Sequence, residues 1–106
     1  MAETPLAPSW DGGVVLDIGG DVGAFMLHAS PTMVGREIDL IPDDPSLATT
    51  HSAVRERVGP AGTTYAAVYP HLLRGSYRVG GTDQRVVIVG GSVSELDFEG
   101  HLWVTD

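Results

Sequence analysis

The chain has 106 residues, enough for one domain with one core. Fourteen acidic against six basic side chains leave a formal charge of −8, a balance that repels phosphate and argues against nucleic acid or an anionic membrane face as a partner. Cysteine is absent, which excludes disulfides, thiolate metal sites and cysteine nucleophiles together, and a hydrophobic content of 42% is too high for a disordered chain.

Residues 1–11, with Pro5 and Pro8, read as a flexible lead-in to a single domain over 12–106. Met1 to Pro5 carries neither a basic nor an apolar signal region. No apolar run approaches the roughly 18 residues of a membrane helix, so a cytoplasmic protein is expected. Val14 to Ile18 is β-branched and stops at Gly19-Gly20-Asp21; Val22 to His28 follows closely, and the spacing predicts a hairpin. Arg36 to Ile41 alternates, with Ile38 and Leu40 on one face, as a half-buried strand does. Pro42 to Ser46 is a loop by composition.

Thr50 to Val58 alternates again, with Ala53, Arg55 and Arg57 on one parity and Val54, Glu56 and Val58 on the other; a helix is also compatible with it. Gly59-Pro60-Ala61-Gly62 is a turn. Thr63 to Tyr69 is rich in strand formers, and Pro70 should end the strand because proline cannot donate to a ladder. Leu72 to Gly75 reads as a turn-like bridge, Ser76 to Val79 as a short strand and Gln84 to Val89 as a nearly pure one. Gly90-Gly91 turns the chain into Ser92 to Phe98, and the tail runs from Glu99 to Asp106. Short strands at this spacing, with no long helical stripe, predict an all-β, antiparallel sandwich of seven to eight strands.

The C-terminal half carries a pattern. Thr64 to Val68 leads through Tyr69-Pro70-His71-Leu72 to Gly75-Ser76-Tyr77-Arg78-Val79, then to Val86 to Val89 and Ser92 to Phe98. With Gly35 to Leu40 upstream, this resembles prealbumin-like and Cna-B-like β-sandwiches, a group that includes carboxypeptidase regulatory-like domains. The resemblance covers about residues 35–98 and implies a fold rather than an activity. All six bases are Arg, and both Lys and Asn are absent, so the Lys–Asn isopeptide bond of Cna-B-like adhesin domains cannot form. Transthyretin-like hydroxyisourate hydrolases end in Tyr-Arg-Gly-Ser; here Arg74-Gly75-Ser76 is internal and follows Leu73, a departure from that pattern. The whole chain also resembles a set of short proteins from high-GC actinobacteria, some labelled phospholipase. That resemblance implies ester or phospholipid hydrolysis, and the missing Lys and Asn, with their AT-rich codons, suit a high-GC source.

Chemistry-bearing residues are sparse. His28, His51, His71 and His101 stand singly, with no His-Glu-x-x-His motif. Met26 and His28 alternate on one strand face, which suits a soft metal, with His51 and His101 as further candidate ligands. Scattered histidines are usually structural or solvated, so no metal or cofactor is expected. Gly90-Gly91-Ser92-Val93-Ser94 lacks the final glycine of a nucleophile elbow. His71 and Ser76 flank one turn and, with His51, are the candidate catalytic residues of a hydrolase. Gly19 to Gly23 has no helix after it to cradle phosphate, and Asp43-Asp44 lacks calcium-loop spacing. Trp10, Trp103, Tyr69 and Tyr77 are candidate interaction residues, because such side chains dominate hot spots; the alternative is that they close the core. The expected function is a non-enzymatic accessory or protein-interaction domain, with a protein partner or a second copy meeting an exposed strand edge. A hydrolase and a His/Met metal-binding protein are the alternatives.

Overall fold

The computed structural model describes residues 18–98 and, before them, the backbone of Ser9–Trp10 and Val14–Val15. The strands in chain order are β1 (Ser9–Trp10), β2 (Val14–Val15), β3 (Val22–His28), β4 (Glu37–Pro42), β5 (Thr50–Ala53), β6 (Arg55–Gly59), β7 (Gly62–Leu73), β8 (Gly75–Val79), β9 (Arg85–Ile88) and β10 (Val93–Asp97). A 3-10 turn, Pro31–Met33, separates β3 from β4. Eight strands make two four-stranded sheets, ordered β10-β3-β7-β6 and β5-β4-β8-β9, so the protein is an all-β sandwich. Among the described residues every pair is antiparallel except β10 with β3, which run parallel.

Alternation places the core. Phe25 and Leu27 of β3 and Ala67 and Tyr69 of β7 face Ile38 and Leu40 of β4, Tyr77 and Val79 of β8, and Val86 and Ile88 of β9. Each large side chain buried there contributes about 1.5–3 kcal/mol relative to exposure. The rings of Phe25 and Tyr69 stack with centroids 5.6 Å apart. Two phenols tie the layers. Tyr69 Oη donates to the Ile38 carbonyl at 2.5 Å, across the sheets, and Tyr77 Oη donates to the Leu73 carbonyl four residues upstream at 2.6 Å. Tyr77 thereby locks the β7–β8 turn in the manner of a tyrosine corner. Burial, with Asp39 nearby, pushes the Tyr69 phenol well above its ordinary range.

The fold corrects several local expectations. Thr50 to Val58 is two strands in different sheets: β5 joins β4, and β6 joins β7. The chain changes sheet at Val54, which is fully buried and bonds through its own N–H and carbonyl to Arg36 and Gly35. A constant parity therefore fails there, and Arg57 is buried while Val58 is exposed. Pro70 does not end β7, which continues to Leu73. It sits where the β3–β7 register shifts between Gly23 and Phe25, a bulge that needs no proline N–H. Leu72 and Leu73 belong to β7, leaving only Arg74 before β8. The Gly19-Gly20-Asp21 turn forms, closed by reciprocal bonds between Gly19 and Val22 at 2.9 Å. β2, however, pairs with β1, and among the described residues nothing joins it to β3. Of the expected lead-in over 1–11, only Ser9–Trp10 are described, as β1; the tail from Glu99 to Asp106 lies outside the described residues. Among the described residues no helix is long and apolar enough to cross a membrane.

Candidate functional site

Four turns meet at one end of the sandwich. Gly90 packs against Gly20 so closely that a Cβ there would collide with the Gly20 carbonyl oxygen, and a Cβ at Gly23 would meet the Val89 carbonyl. The two glycine turns interlock on this account, and the Gly91 N–H donates to the Val22 carbonyl at 2.9 Å. The Arg74 N–H donates to the Asp21 carbonyl at 2.8 Å, and the Asp43 N–H to the Ser76 carbonyl at 2.9 Å, fastening the β7–β8 turn and the β4–β5 loop to the same end.

Between these turns lies an open groove of about 540 Å³. Its walls are Leu47, Leu73, Val87, Ile88 and Val89, with Asp21, Asp44 and Arg74 at the polar margin. Val86 and Ile88 point into the core, so the alternation of β9 turns Val87 outward, and Val89 after it is exposed as well. Val87, Val89 and Leu73 are 62%, 55% and 44% exposed. Gly75, at φ 141°, carries no side chain into the groove beside Ile88. Arg74 Nε bonds Asp21 Oδ1 at 3.0 Å, and Arg85 pairs with Asp43. Asp44 Oδ1 accepts the backbone N–H and the hydroxyl of Ser46 at 2.9 and 2.8 Å, which holds its carboxyl below the usual range.

A second open hollow, of about 440 Å³, lies elsewhere on the outer face of the same sheet, among Arg36, Glu37, Asp39, Ile41 and Arg78. His51 Nε2 stands 3.6 Å from Glu37 Oε1 above this face, both side chains largely exposed. On the opposite sheet, Arg57 is only 6% exposed; its Nε donates to the Ala66 carbonyl at 3.2 Å. Desolvation, with Arg55 adding like charge, lowers the tendency of Arg57 to stay protonated.

Among the described residues, those singled out from sequence form no metal-binding cluster. His71 is exposed on β7 and Ser76 half-buried on β8. Met26 and His28 do share one face of β3, but Met26 is buried in an apolar cluster and His28 Nε2 is taken by Glu95 Oε1 at 2.6 Å. Among the described residues no group of three or more His, Asp or Glu side chains could hold a metal; His101 lies outside them. Tyr69 and Tyr77 are corrected from candidate contact residues to core, at 2% and 3% exposed, because both phenols find backbone acceptors inside. Trp103 lies outside the described residues, and of Trp10 only the backbone is described.

The groove residues Leu73, Val87 and Val89 were absent from the sequence-based candidates. Their signal was present: four consecutive apolar residues, Val86 to Val89, in a strand with one buried face must turn two of them outward. No family model, curated protein or solved structure matches the chain.

Proposed function

We propose that the protein is a non-enzymatic interaction module that binds another protein through the groove beside β9. One observation carries this reading. Of the five large hydrophobic side chains exposed among the described residues, Leu73, Val87 and Val89 share this one groove, while Val34 and Val58 do not line it. Single exposed apolar residues are ordinary, whereas a contiguous set beside a polar margin marks a contact surface. The prealbumin-like resemblance enters as a fold only, supported by Gly75 to Val79 forming β8 inside a sheet. A His/Met metal protein would require several ligands together, and among the described residues no such group forms.

The test is affinity purification from the native host with the wild-type protein and with a Val87→Asp, Val89→Asp double variant, followed by native mass spectrometry. A stoichiometric protein partner held by the wild type and lost with the variant is the expected result. Adduct mass matching a metal or small molecule, retained by the variant, would sink the reading.

A further inference from the structure

Resting on that reading, we infer that the groove's partner is an apolar segment of a different protein carrying a lysine or arginine that pairs with Asp44. The groove's charges are two acids and one base: Asp21, Asp44 and Arg74. Asp21 and Arg74 neutralise each other at 3.0 Å, and the neighbouring Asp43 is taken by Arg85. Of these groove acids, Asp44 is the one with no cation beside it among the described residues; its carboxylate accepts from the N–H and hydroxyl of Ser46. A partner that covered Leu47, Leu73, Val87 and Val89 with apolar side chains would shield Asp44 from water. A carboxylate desolvated without a counter-charge is costly, so the complementary segment brings its own cation.

A second copy of this chain fits poorly. Two molecules of charge −8 repel, and joining two copies of this margin would set Asp44 against a surface of its own sign. The groove is also already formed: its four flanking turns are bonded to one another, so binding would spend little on ordering it.

The experiment is selection of a random linear peptide library displayed on phage against the folded protein, with the recovered peptides titrated against four variants. Enriched sequences should combine Leu, Ile, Val or Phe with Lys or Arg. Val87→Thr and Val89→Thr should each weaken them about tenfold or more, as loss of a buried aliphatic contact does. Asp44→Asn, which keeps an acceptor for the Ser46 turn, should weaken them about fivefold at low salt, and less as salt screens the pair. Val58→Thr, an exposed apolar residue off the groove, should change nothing. Peptides that need Val87 and Val89 but are neutral or acidic, or that ignore Asp44→Asn, would overturn the basic partner while leaving the groove as a protein contact. No enrichment, or enrichment indifferent to Val87 and Val89, would overturn both.

Discussion

The outer faces of the two sheets differ in kind. On the β5-β4-β8-β9 sheet, the residues turned away from the core include Glu37, Asp39, His51, Arg78 and Arg85, with Val87 beside them, and this face stays open to water. On the β10-β3-β7-β6 sheet, the outward residues are Ala24 and Met26 of β3 and Ala66 and Val68 of β7, all buried, with Ile18 and Val93 packed against them. One sheet is two-faced in the usual sense of a solvated antiparallel sheet. The other is apolar on both sides through its two central strands, and at its edge Arg57 is buried as well. Alternation is a usable signal on one sheet and not on the other. It appears where one face meets water, as in β4, and disappears where both faces are covered, as in Ala24 to Leu27 and Ala66 to Tyr69.

The sharpest way to break this contrast is to shorten one side chain on each kind of outer surface. Met26→Ala should cost about 2–5 kcal/mol, because a packed side chain leaves a cavity. Val87→Ala, also outward but wet, should stay within about 0.5 kcal/mol. Chemical denaturation measures both, and equal losses would show that the β3–β7 outer face is not a second core. Gly90→Ala should cost about 1–3 kcal/mol, since the atoms in its way are the backbone of Gly20 and Asp21, which cannot swing aside.

A smaller effect distinguishes the tie between the sheets from the packing within them. Tyr69→Phe keeps the ring against Phe25 but leaves the Ile38 carbonyl without its donor, for about 1–1.5 kcal/mol. The same variant has a pH signature. Above about pH 10 the unfolded chain's tyrosine ionises while the buried phenol stays protonated, so the folded state binds more protons and stability falls as pH rises. Urea midpoints measured at about pH 9 and pH 11 should therefore drop more steeply for wild type than for Tyr69→Phe. The smallest effect belongs to the exposed clip between the parallel strands. Glu95→Gln should cost under about 1 kcal/mol, and added salt should reduce the difference from wild type.

Much of the fold was legible because local chemistry is strong in this chain. Ile38 and Leu40 marked the inner face of β4, and the glycine pairs marked turns at Gly19-Gly20 and Gly90-Gly91. Three features were not legible, for stated reasons. Val54 changes sheet without a glycine or proline, because its backbone bonds are supplied by Gly35 and Arg36, distant in sequence. Pro70 lies inside a strand because a bulge, set by the partner strand, removes the need for its N–H. The parallel partner of β3 is β10, some seventy positions later, and no local pattern encodes a neighbour at that distance. The site was less legible than the fold. Aromatic residues drew attention as contact residues, yet Tyr69 and Tyr77 point inward, and aliphatic Leu73, Val87 and Val89 line the groove.

By itself the sequence determined the class: an acidic, cysteine-free, all-β chain whose short alternating strands and glycine turns can bury a core only by stacking sheets. The tertiary structure alone decided which side of each strand is covered, which strand lies beside which, and that Leu73, Val87 and Val89 meet Asp44 across one groove. The reason is physical. Periodicity follows from the geometry of a single strand, whereas coverage of a face and the meeting of distant turns depend on what the rest of the chain places against them.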